Sequence, residues 1–165
     1  MGIRADILKL IRTEVNGTTF ATATGVKTIK AVNSYFDPEE MLRHLPMVGV
    51  ISEPENITLA SMQGVRKSRR LRVNIIGFHV VKSKGLVLGT GDSPNLFLEG
   101  EDFAESLIQK LTTQTAHDNF AATTSITTGC GFSIVDIGPV IVEQYEYGLD
   151  FIYVTTPCTV EFIDP

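Results

Sequence analysis

The chain has 165 residues, 43% hydrophobic and 20% charged, which bounds it to one domain long enough to bury a real core. Its formal net charge of −5 argues against broad binding to nucleic acid or to an anionic membrane surface. No apolar run is long enough to span a bilayer, residues 1–15 carry charges within their apolar stripe, unlike a secretory signal, and Asp6 stands where a myristoylation signal needs Ser or Thr.

Residues 3–15 predict an amphipathic helix. Ile3, Ile7, Leu10 and Ile11 repeat at helical spacing, Leu8 and Val15 widen the stripe, and Asn16-Gly17 is a C-cap signal. Residues 18–33 are rich in Thr and Ala, with a weak alternation that predicts a strand over about 26–33. Asp37-Pro38-Glu39-Glu40 then reads as a helix start, with Asp37 as N-cap, Pro38 in the first helical position and Pro46 ending the helix. The carboxylates gathered there are explained by that cap and the helix dipole, without acid–base chemistry.

Residues 47–53 predict a strand, and 54–68 a polar excursion, either a hairpin tip or an exposed loop. Residues 69–81 give the clearest strand. Leu71, Val73, Ile75 and Val81 fall on one face with Gly77 and His79, while Arg70, Arg72 and Asn74 begin the other. A second exposed, glycine-rich stretch covers 82–95. A helix is expected over about 101–115, with Phe103, Ala104, Leu107, Ile108 and Leu111 as its apolar face, followed by a polar linker at 116–125. From residue 126 to 163 the chain is strand-rich, punctuated at Gly138-Pro139 and Gly148. The order predicts an α+β domain over 1–165, a mostly antiparallel sheet with two main helices on one face. Regular strand–helix alternation, which a doubly wound parallel sheet requires, is missing.

The residues offer little chemistry. His44, His79 and His117 stand in three unrelated contexts and do not form a metal cluster. The two cysteines, Cys130 and Cys158, sit in different predicted strands and read as thiols, bridged only if those strands are neighbours in register. Gly85 to Gly91 lacks the Lys-Ser/Thr ending of a phosphate loop and the spacing of a dinucleotide fingerprint, so an exposed or interface loop is the better reading. Gly129-Cys130-Gly131 has no local base to activate its thiol. Arg66, Lys67, Arg69, Arg70 and Arg72 form the one basic cluster. Their alternatives are phosphate contact or a hairpin shoulder paired with acidic neighbours, and the acidic chain favours the second. No catalytic set, cofactor or metal is expected.

In layout the chain resembles the tail terminator and tail-completion proteins of tailed bacteriophages. The resemblance rests on the amphipathic opening helix, the arginine-led central strand at 69–81, the second helix at 103–111 and the closing strands around Tyr145 and Tyr153. The run Leu45-Pro46-Met47-Val48-Gly49-Val50 before a long polar loop adds to it. It implies a structural virion protein of the tail or neck, assembled in the host cytoplasm, with no catalysis. Its partners are then itself as a homo-hexamer ring, the major tail tube protein and a head-completion or connector protein, with DNA only as passing cargo and no membrane. Arg66, Lys67, Arg69, Arg70, Arg72, Tyr145 and Tyr147 are the candidate subunit or partner contacts. The alternatives are another phage neck or tail protein, a small ligand-binding module using the 85–91 loop beside His79, or nucleic-acid binding through Arg66 to Arg72.

Overall fold

The apolar stripe at the start of the chain becomes helix α1, Ile3–Val15, with Ile7, Ile11 and Val15 buried and Ile3, Leu8 and Leu10 packed at the margin of the core. It ends as the sequence implies. Asn16 donates its N–H to Arg12 O at 3.1 Å, and Gly17 turns the chain at φ +82°, a conformation that costs glycine nothing. The computed structural model describes residues 2–22, 25–32, 43, 45–54, 67–81, 96–122, 131–146 and 150–164. Of the helix expected from Asp37, only Arg43 is among them, and it is helical. Most of the 54–68 excursion and all of 82–95 lie outside the described residues.

The predicted strand at 26–33 is two strands with different partners. β1, Thr19–Thr22, and β2, Gly25–Thr28, form an antiparallel two-stranded sheet. β3, Lys30–Ala31, instead joins the main sheet, parallel to β4, Met47–Ser52. The buried Ile29 between them makes the switch, donating its N–H to Thr18 O at 2.7 Å and accepting from Gly17 N at 2.9 Å. β1 has only Phe20 buried, so its sequence carries no alternation to read.

The main sheet is built on two 15-residue strands, β5, Lys67–Val81, and β8, Asp150–Asp164, antiparallel along their whole length. β4 lies antiparallel on the far side of β5. On the other side of β8 two strands share one neighbour. β6, Phe132–Ile137, pairs with its C-terminal half, and β7, Ile141–Glu146, with its N-terminal half. The junction explains a proline in a central strand. Pro157 O accepts from Gly138 N at 2.8 Å, and Gly138-Pro139 is the turn between β6 and β7. In an antiparallel ladder a residue's N and O point to the same side. The missing N–H of Pro157 therefore faces the gap between two partner strands, where no ladder bond is lost.

Period two then sorts the faces. Leu71, Val73, Ile75, Gly77 and His79 of β5 stand opposite Val160, Cys158, Thr156, Val154 and Ile152 of β8, and all face the core. The helices pack on this face: α1, α2 at Leu96–Leu111, and α3 at Gln114–Ala121. The predicted α+β class and mostly antiparallel sheet describe the protein. Two boundaries differ from expectation. α2 begins at Leu96 and runs through Gly100, because a Cβ there would stand 2.5 Å from Val142 Cγ1 of β7. Glycine lowers helix propensity by about 1 kcal/mol, but here it lets the helix lie on the sheet. The expected linker at 116–125 is helical as far as Ala121. Thr113 caps α3, its Oγ1 accepting from Ala116 N at 3.1 Å, and Ala116 and Phe120 are buried at i, i+4 spacing. On this face α3 thus joins the two main helices that were expected.

The opposite face of the sheet is polar at one end and apolar at the other. Arg70, Arg72 and Asn74 give way to Ile76 (5% exposed) and to Phe78, whose ring meets Tyr153 edge-on at 5.0 Å. In the core, Thr156 is fully buried and its hydroxyl has no hydrogen-bond partner among the described residues. An orphaned buried hydroxyl is destabilising, and valine has the same shape without it. Thr156→Val is expected to raise stability by about 1 kcal/mol in urea unfolding. Equal or lower stability would show that the hydroxyl is satisfied.

Candidate functional site

The basic cluster is divided between the two faces of β5. Arg70 and Arg72 lie on the face away from the helices, Arg69 on the other. Arg70 Nη2 is 3.9 Å from Glu161 Oε2, its cross-strand partner on β8. Arg72 Nε is 3.6 Å from Glu53 Oε1, which also accepts from Asn74 Nδ2 at 2.9 Å. Arg69 places its guanidinium 5.0 Å over the Phe162 ring. Lys67 is the first residue of β5, opposite Asp164, and Tyr145 lies in β7 opposite Phe151. Arg66 and Tyr147 lie outside the described residues, as does the 85–91 loop. The arrangement is an arginine shoulder set against carboxylates and a ring. The side chain of Arg70 is 70% exposed, so its pair with Glu161 is screened by water. Arg70→Ala is expected to change unfolding free energy by less than about 0.5 kcal/mol, measured by urea denaturation. A loss above about 1 kcal/mol would mean the pair is part of the fold's support.

A polar pair that the sequence did not connect lies under this sheet. His79 Nε2 is 2.8 Å from Glu99 Oε2, and the two side chains are only 5% and 8% exposed. His79 comes from β5 and Glu99 from the first turn of α2. Burial pushes the imidazole pKa below its usual 6.5, Glu99 offsets part of that through its hydrogen bond and charge, and Lys27 adds to the lowering. The ring is therefore neutral near pH 7, donating through Nε2–H to the carboxylate. Nδ1 is buried with no partner among the described residues, and the Phe20 ring stands edge-on to the imidazole at 5.0 Å. The pair ties strand to helix inside the core. A histidine in an apolar strand was the signal for it, since a buried imidazole needs a partner.

The remaining candidates stay apart. Cys158 is a buried thiol whose pKa burial pushes up to about 12, which suppresses the reactive thiolate. Cys130 and His44 lie outside the described residues, while His117 sits on α3 and is exposed, not in a linker. Among the described residues no three His, Cys, Asp or Glu side chains gather as metal ligands. Nor is any helix among them long and apolar enough to cross a membrane.

The exposed surface has a clearer pattern. Among the described residues Val26 (71%), Val135 (47%) and Ile141 (48%) are the exposed large apolar ones. Val26 belongs to the β1–β2 hairpin. Val135 is the extra residue of a β-bulge in β6, and Ile141 opens β7, so both lie on the strands that bound the sheet. Comparison with protein-family models and with curated proteins gives no match.

Proposed function

We propose that the chain is a structural assembly protein of a tailed phage, closing as a homo-hexamer ring that caps the tail tube and joins it to the head-side connector. The observation that carries this reading is the character of β6 and β7. They form one side of the sheet, their outer edges have no strand partner among the described residues, and each presents an exposed apolar residue, Val135 or Ile141. Open edges with apolar side chains are where chains add to one another. The helix-covered face and the 15-residue β5–β8 ribbon supply a stiff body behind that edge. The net charge of −5 suits a ring through which DNA slides without adhering. The virion is then its working location, after assembly in the host cytoplasm.

Light scattering and electron microscopy of the purified protein, alone and with tail tubes, test this directly. A six-fold ring, free or on tube ends, is the expected result. A protein that stays monomeric in both settings would remove the proposal.

A further inference from the structure

We infer that the β1–β2 hairpin is an acid-released latch, closed over the buried His79–Glu99 pair through Phe20 and lifted from it, while the rest of the chain stays folded, when His79 takes up a proton. The latch is a conformational device and stands whether or not the chain forms a ring. The hairpin is the less supported part of the described fold. It is a two-stranded sheet, every residue of β2 is exposed, and Phe20 is the one buried residue of its two strands. Two strands alone are marginally stable in water, so local opening begins at such an element. Its root is fixed. Gly17 donates its N–H to Ile29 O at 2.9 Å, Ile29 donates to Thr18 O at 2.7 Å, and Thr18 and Ile29 are both buried. Opening therefore swings the two strands about that root while the main sheet stays paired. α2, by contrast, is held along its length by Phe103, Ala104, Leu107 and Leu111.

Phe20 is also the contact that covers the histidine. Its ring stands 5.0 Å from the imidazole and 4.9 Å from Phe103. Lys27 is the cross-strand partner of Phe20, so both belong to the hairpin face turned toward His79, with Val26 on the other. Among the described residues the charged groups acting on the imidazole are Glu99 of α2 and Lys27 of β2, while β8 sets the apolar Ile152 opposite it. Closure takes water from the ring and brings a cation toward it. Both oppose protonation, and Glu99 offsets part of this. Lifting the hairpin removes the covering ring and the cation together and leaves Glu99 in place, so the open form is the better base. As pH falls below 6.5, the open form binds a proton that the closed form does not. Acid therefore raises the open population, and the rise levels off once the closed form is protonated too.

Amide hydrogen exchange of the full chain at about pH 7.5 and about pH 5.5, corrected for intrinsic rates, is the deciding measurement. The hydrogen-bonded amides of β1 and β2 should open at least about tenfold more often than those of β5 at both pH values, which marks the event as local. In the parent their opening should rise about threefold or more on acidification. His79→Gln keeps a side-chain donor for Glu99 but does not titrate, so its hairpin opening should change by less than about 1.5-fold. Lys27→Glu, at an exposed position, replaces the opposing cation with an anion and should cut the rise to about half or less. A parent hairpin that opens equally at both pH values overturns the latch. So does a His79→Gln hairpin that responds like the parent, or hairpin amides that exchange only together with those of β5. Should His79→Gln fail to fold, Lys27→Glu carries the decision, and a rise equal to the parent's overturns the latch.

Discussion

Phe103→Ala is expected to cost about 3–5 kcal/mol, the largest loss from a single substitution on the helical face. The ring is fully buried and shared by three elements. It projects from α2, meets the Phe20 ring of β1 at a centroid distance of 4.9 Å, and lies flat enough on β5 to occupy the space where a side chain at Gly77 would stand. A Cβ added at Gly77 would be 2.2 Å from Phe103 Cε1 and 2.7 Å from Cζ. The glycine is thus a socket for the ring. Gly77→Ala forces the ring off its site and is expected to cost about 1–3 kcal/mol through overpacking. The two changes should not add. Combining Gly77→Ala with Phe103→Leu shortens the side chain that blocks the new methyl. The double variant should be at least about 1 kcal/mol more stable than the sum of the single losses predicts. Urea unfolding of the four proteins decides it. Strict additivity would mean that the alanine methyl is absorbed by a shift of α2 and not by the ring.

Glu99→Ala is the second expected large loss, about 2–3 kcal/mol, because it leaves a buried imidazole with neither nitrogen bonded among the described residues. The pH dependence follows from the same site. The folded-state pKa of His79 is below 6.5, chiefly by desolvation, partly offset by Glu99 and reinforced by Lys27. Between that lowered value and 6.5 the unfolded chain binds a proton that the folded chain does not. The stability from keeping His79 neutral is therefore fully present above about pH 6.5. It is lost as pH falls through the folded value. Melting temperatures of the parent and of His79→Leu, taken from pH 7.5 to 5, isolate this contribution as the difference in slope. The parent should lose stability on acidification more steeply than the variant. Parallel slopes would mean that the imidazole keeps its ordinary affinity for protons.

Some elements were legible from local pattern because their burial is periodic within themselves. Ile7, Ile11 and Val15 lie on one stripe of α1, and Asn16-Gly17 announces its end in the residues that build the cap. Leu71, Val73 and Ile75 alternate with Arg70, Arg72 and Asn74, which marks β5 as a strand with one buried face. Where a long-range contact substituted for pattern, the reading slipped. The helix expected from about residue 101 starts at Leu96, and Gly100 within it lies against β7 and β8. Thr113 falls inside the helix expected over 101–115, yet that helix ends at Leu111 and the Thr113 hydroxyl caps a new one, α3. Among the described residues of β1 and β2, Phe20 is the single buried anchor, too little for a two-residue period to show.

The candidate contacts divide in the same way. That Arg69, Arg70 and Arg72 cluster, with Arg70 and Arg72 sharing a face, is plain in the chain, but the seating of Arg70 and Arg72 against Glu161 and Glu53 comes from the tertiary structure. His79 and Glu99 are 20 residues apart and meet only because α2 starts above the end of β5. By itself the sequence determined the α+β class, the opening helix and the long arginine-led strand, since each is encoded by spacing within one segment. Only the tertiary structure decided which polar groups are paired, which glycines are sockets and which apolar residues remain on the surface. Those outcomes depend on which distant segments share a face, and local periodicity carries no record of that.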